Sequence, residues 1–207
     1  MTYIYTMGII FFAYLCGSIP VGYLVAKLYG VDVTQSGSGR IGGTNVLRAA
    51  GGGAAGLTVF GDVMKGLIPV FFLVIISPHI SPYWVTALAA SATVLGHNFS
   101  IFLGFRGGVG AGTAVGSFGG LYLWVGLLAA ILAIIALAIS RYASILSTTV
   151  AISGLLLLII CAFLQITPYE YILTGVLNSV IILNALRPNY ARIRAGTERK
   201  VGTPKSN

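Results

Sequence analysis

Long apolar runs alternate along the chain with short, glycine-rich polar stretches. Residues 4–29, 57–76, 83–103, 114–139, 144–164 and 169–185 carry few or no charges. A helix crossing a bilayer core takes about 20 apolar residues, so each run reads as a membrane span. The first run is interrupted by Gly17-Ser18-Ile19-Pro20. Proline lacks an N–H and clashes with the preceding turn, so a broken helix is predicted there. Ser18 beside the break is either a pocket residue or a serine that packs helices. The polar stretches are residues 30–56, residues 104–113 and the tail from Arg187 to Asn207.

Charge gives these runs an orientation. The first two polar stretches are basic, and the tail carries Arg187, Arg192, Arg194, Arg199, Lys200 and Lys205. Basic loops stay in the cytoplasm. The Ser77–Pro82 turn has no Lys or Arg and is expected outside. Six spans with both basic loops inside would leave the tail outside, against its charge. Splitting 114–139 near Gly119-Gly120 into a short helical hairpin removes the conflict. The expectation is an all-α, polytopic membrane protein of about seven transmembrane helical segments. Its N-terminus is outside, its C-terminus is cytoplasmic, and residues 1–207 form a single domain.

Composition agrees with this reading. The chain is 57% hydrophobic and 8% charged, whereas soluble domains carry about 25% charged residues. Its net charge of +8 fits basic loops and anionic lipid headgroups, and no nucleic-acid partner is expected. Cys16 and Cys161 lie in separate apolar runs, and His79 and His97 on different segments, so no disulfide and no metal site is expected. No basic stretch precedes the first run, which reads as a span rather than a cleaved leader.

Chemistry concentrates in Gly37-Ser38-Gly39-Arg40-Ile41-Gly42-Gly43-Thr44-Asn45-Val46-Leu47-Arg48. Glycines open backbone N–H groups to a ligand, and arginine holds phosphate in a planar fork. Gly104-Phe105-Arg106-Gly107-Gly108-Val109-Gly110-Ala111-Gly112-Thr113 runs into a new apolar segment. A glycine-rich turn that opens a helix can cradle phosphate, although glycines also let membrane helices pack closely. With the tail on the same face, these stretches suggest one composite site for a phosphorylated ligand beside a groove for a lipid chain. Asp62 and Lys65, three residues apart, are expected to form a structural ion pair.

Gly17-Ser18-Ile19-Pro20-x-Gly22, together with Gly37-Ser38-Gly39-x-Ile41-Gly42-x-Thr44-Asn45-Val46-x-Arg48, resembles the first motif of the PlsY family. These are bacterial acyl-phosphate:glycerol-3-phosphate acyltransferases. Gly96-His97 followed by Phe105-Arg106-Gly107-Gly108-x-Gly110 is similar to the second motif. Asn189-x-x-Arg192-x-x-x-Gly196-Thr197-Glu198 is similar to the third. The resemblance implies acyl transfer from acyl phosphate to the 1-hydroxyl of sn-glycerol 3-phosphate, giving lysophosphatidic acid. It implies a multi-pass protein of the inner (plasma) membrane with a cytoplasmic active site and no cofactor, metal or carrier protein. A monomer or weak homo-oligomer is expected. Carried over, Ser38, Asn45, Arg48, His97 and Asn189 are the candidate catalytic residues. Gly37, Gly39, Arg40, Thr44, Arg106, Gly107, Gly108, Gly110 and Thr113 are candidate phosphate contacts, and Glu198 is structural.

The chain departs from the family pattern at three places. Val109 stands where the second motif carries lysine, Arg40 where the first carries asparagine, and Leu186 where the tail carries histidine. Arg40 or Arg106 is the candidate replacement cation. Acyl phosphate is already activated, which leaves positioning and charge stabilisation to the protein. Two other readings stay open: a divergent or inactive paralogue, and a small lipid or anion transporter.

Overall fold

The computed structural model describes residues 2–80 and 82–202. Among them, every regular element is helical. The helices are α1 Thr2–Ser18, α2 Val21–Leu28, α3 Gly43–Ile80, α4 Tyr83–Asn98 and α5 Ala111–Leu121. They continue with α6 Leu123–Ser140, α7 Ala143–Phe163, α8 Tyr171–Ala185 and α9 Arg187–Arg194. Four segments are long and apolar enough to cross a bilayer: Ile4–Leu28, Gly43–Ile76, Leu123–Ser140 and Ala143–Phe163. The bent pair α8 and α9 would make a fifth. At 16 residues, α4 is shorter than a straight span of about 20 residues, and α5 has only 11.

Pro20 separates α1 from α2, as its chemistry predicts. The split of 114–139 falls at Tyr122, just past the glycine pair. Two boundaries differ from the sequence reading. The polar stretch 30–56 is not a loop throughout, because α3 already begins at Gly43. Only Gly51 breaks it, with φ 87° and ψ −179°, so residues 43–50 form a short helix ahead of the long one. That φ is open to glycine and strained for other residues. The turn expected over 77–82 is also shorter, since α3 runs to Ile80. Lys205 lies outside the described residues.

The helices meet at very close range. A Cβ on Gly116 would sit 2.0 Å from the Val63 carbonyl oxygen, and one on Gly66 2.2 Å from that of Thr113. These two glycines let the backbones of α3 and α5 touch, which is how membrane helices associate without a hydrophobic driving force. We expect Gly116→Ala to force the pair apart, costing about 1–3 kcal/mol. A lowered unfolding midpoint in detergent would report it, and an unchanged midpoint would contradict the packing. Ser18 is fully buried against Gly96 of α4, where a Cβ would lie 2.8 Å from its backbone nitrogen. Its role is helix packing. Large apolar side chains such as Phe60 and Phe72 remain 64% and 60% exposed, as a lipid-facing surface requires.

Candidate active site

The loop before α3 is built around two side chains. Asp32 accepts from the Thr34 hydroxyl at 2.6 Å and the Thr34 amide at 2.9 Å, capping a short 3₁₀ turn. Those donors, the hydroxyl first, hold its carboxyl below the usual carboxylate range. Asn45 sits inside the loop, where its Nδ2 donates to the carbonyls of Val33, Ser36 and Arg40 at 3.1, 2.9 and 2.8 Å. Its Oδ1 accepts from the Ser38 amide at 3.2 Å. Both ends of the amide are therefore committed to the loop. Asn45, a candidate catalytic residue, fixes the position of Ser38.

The loop is tied to the tail. Arg40 donates from Nη1 to Asn189 Oδ1 at 3.0 Å and from Nη2 to the Ala185 carbonyl at 2.6 Å. Asn189 Nδ2 donates to Glu198 at 2.7 Å, and Arg192 Nε meets the other Glu198 oxygen at 2.6 Å. Arg48 donates to the Arg199 carbonyl at 3.2 Å. Burial, and after it the neighbouring Arg192 charge, press the Arg40 guanidinium below its ordinary pKa, opposed by Glu198. A positive cluster at this position favours an incoming anion.

These residues rim a cavity of about 490 Å³. Gly37, Ser38, Arg40, Thr44, Asn45, Arg48, His97, Gly110, Asn189 and Glu198 line it. Three helices begin on its wall: Gly43 and Thr44 open α3, Ala111 and Gly112 open α5, and Ala143 and Ser144 open α7. First-turn N–H groups have no acceptor within their helix, and each helix end carries about half a positive charge. The cavity continues between apolar side chains, among them Val63, Val115, Ala133, Ile134, Leu146 and Val150.

Other expected residues lie elsewhere. Arg106 is exposed and lines a separate hollow of about 250 Å³, together with Gly39 and Gly107. The chain turns back between Ser100 and Arg106, with Gly104 and Phe105 both at φ 61°, and this swings Arg106 away. Gly108 faces His97: a Cβ there would lie 2.1 Å from Nε2. Thr113 is fully buried beneath the wall at the α3 contact. None of these five lines the main cavity.

Asp62 does reach it, together with His97. Asp62 Oδ1 stands 2.9 Å from Lys65 Nζ and 3.4 Å from His97 Nδ1, and all three residues are buried. Lys65 also donates at 2.9 Å to the Ile19 carbonyl beside the Pro20 break. It thus serves an acceptor at the helix break as well as neutralising a buried carboxylate. Ser144 on the cavity escaped the sequence reading, whereas Arg192 and Arg199 of the basic tail also line it. Val109 and Leu186 belong to one apolar cluster and both line the cavity. The two departures therefore leave the same wall apolar.

Fold and site together define a helical membrane protein with a cationic, helix-capped pocket opening into an apolar groove. The profile of the glycerol-3-phosphate acyltransferase family matches residues 7–196, and the chain belongs to that family. It is similar to the glycerol-3-phosphate acyltransferase of Rubrobacter xylanophilus, with 40% identity over 94% of each chain. An enzyme of the same name from Thermus thermophilus is 41% identical over 92% of each. Among solved structures, PlsY (YgiH), an integral membrane glycerol 3-phosphate acyltransferase, aligns in its glycerol 3-phosphate form with a TM-score of 0.85. That alignment has 34% identity over 96% of both chains. Its lysophosphatidic acid form aligns with a TM-score of 0.83.

Proposed function

We propose that the protein transfers a fatty acyl group from acyl phosphate to the 1-hydroxyl of sn-glycerol 3-phosphate. The single observation that carries this is the convergence of three helix N-termini and the Arg40 and Arg48 guanidiniums on one cavity with an apolar extension. Both substrates are phosphorylated, and only one carries an alkyl chain. Arg48, Ser38 and the α5 N-terminus around Gly110 hold the glycerol phosphate. Arg40 supplies the charge that lysine brings at position 109 in the family pattern, because Arg106 faces a different hollow. The glycerol oxygen attacks the acyl carbonyl carbon, the carbonyl–phosphate C–O bond breaks, and phosphate departs with the electron pair. A substrate phosphate takes the hydroxyl proton. His97, whose Nδ1 stands 3.4 Å from Asp62 Oδ1, is the only imidazole among the described residues on that wall.

The cavity then lies on the cytoplasmic side of the inner membrane, with seven helical segments, the N-terminus outside and the tail inside. The basic tail and the basic loops that meet around the cavity support this orientation.

The experiment is acyl transfer by purified protein with palmitoyl phosphate and a panel of phosphorylated acceptors. Lysophosphatidic acid from glycerol 3-phosphate is the expected product. A different preferred acceptor would support a divergent paralogue, the reading that the apolar Val109–Leu186 wall favours. We expect Val109→Lys to add a third phosphate-facing cation and lower the KM for glycerol 3-phosphate. A raised KM would mean that the apolar wall is itself required.

A further inference from the structure

Arg106 stands apart from the main cavity, in the hollow of about 250 Å³ that Tyr23, Asp32 and Leu103 also line. Among the described residues its guanidinium meets no hydrogen-bond or ion-pair partner. Asp32 spends Oδ1 on the Thr34 hydroxyl and amide, whereas Oδ2 receives only a 3.4 Å contact from Gln35 Nε2. Among the described residues no ion pair joins Asp32 to Arg106, although both line the hollow. The hollow lies near the end of the first membrane-crossing segment, Ile4–Leu28. There the Tyr23 hydroxyl accepts from Lys27 Nζ at 3.3 Å. A tyrosine near a span end, with a lysine reaching out beside it, belongs at the level of lipid headgroups. Phe102 and Phe105, next to Leu103 and Arg106 in the chain, are both exposed.

We propose that this hollow binds the headgroup of one membrane phospholipid that carries a primary amine, a phosphatidylethanolamine. Arg106 holds the phosphodiester in its planar fork, and Asp32 Oδ2 accepts from the ammonium. A cation and a carboxylate that share a hollow without pairing are complementary to a headgroup with both charges. An anionic headgroup without the amine would set its phosphate against Asp32 with nothing in return. The acyl chains of the lipid run past Phe102 and Phe105, whose exposed rings then face hydrocarbon. Gly39 also lines the hollow, between Ser38 and Arg40 of the main cavity. The bound headgroup therefore packs behind the loop that carries those two residues. This site is separate from the acyl-transfer cavity and does not depend on that reaction.

Native mass spectrometry of the full-length protein in detergent, titrated with phosphatidylethanolamine or with phosphatidylglycerol of the same chains, tests this. One phosphatidylethanolamine should be retained at about tenfold lower concentration than phosphatidylglycerol, the worth of one hydrogen bond between charged groups. Arg106→Gln should raise the phosphatidylethanolamine concentration needed by about tenfold. Asp32→Asn, which keeps an acceptor for Thr34, should abolish the preference between the two lipids. Phosphatidylethanolamine should also raise the unfolding midpoint of the parent more than that of Arg106→Gln. Equal retention of both lipids by the parent would overturn the proposal, as would unchanged retention by Arg106→Gln. Should Arg106→Gln misfold, Asp32→Asn decides the matter, and a preference that survives in it refutes the site. Soluble phosphoethanolamine should fail to displace the lipid at matching concentration. Full displacement would show that the hollow takes a free phosphorylated amine and not a lipid.

Discussion

Lys65→Met should cause a large drop in the unfolding midpoint in detergent. Removing one partner of a buried ion pair costs about 3–5 kcal/mol, because the remaining charge is stranded. Here the Asp62 carboxylate would keep only His97, and the Ile19 carbonyl would lose its donor. For a chain of this size that amounts to a fall of roughly 10 °C. The double variant Asp62→Leu/Lys65→Met should be more stable than Lys65→Met alone, since replacing both partners is far less costly. A single variant as stable as the parent would show that the pair contributes no stability.

Arg48→Ala should give the largest loss of activity. Its guanidinium donates from Nη2 to the Arg199 carbonyl, and the residue lines the cavity. A charge-assisted bond to phosphate is worth about 1.5–3 kcal/mol, so losing a bidentate contact reduces kcat/KM for glycerol 3-phosphate by roughly 100-fold or more. Arg48→Lys should recover little, because an ammonium cannot reproduce the planar fork. Steady-state kinetics at varied glycerol 3-phosphate would measure both. Parent-like kinetics in Arg48→Ala would remove this residue from the site.

The elements that could be read from sequence were those that local chemistry dictates. Pro20 ends α1 wherever it sits in the fold, and the basic tail required a break between α5 and α6 that the helices do contain. The start of α3 was obscured because Gly51-Gly52-Gly53 reads as loop, although only Gly51 leaves helical geometry. Ser38, Arg48 and Asn189 are brought to one cavity from stretches far apart in the chain. Arg106 illustrates the limit of motif spacing. Its neighbours Gly107 and Gly110 suggested a shared phosphate cradle, but two consecutive left-handed residues turn its side chain into another hollow. Ser144 carries no local signal at all, since its significance depends on which helices surround α7. Asn45 was legible as important but not as a loop hub, because its partners are backbone carbonyls.

In the proposed reaction, one cavity joins two phosphorylated substrates and the acyl group passes directly between them. Phosphorus NMR of purified protein turning over palmitoyl phosphate and glycerol 3-phosphate tests it in one spectrum. Lysophosphatidic acid and inorganic phosphate should appear in equal amounts, both strongly slowed in Arg48→Ala. Inorganic phosphate released without lysophosphatidic acid, or no loss of palmitoyl phosphate, would contradict it.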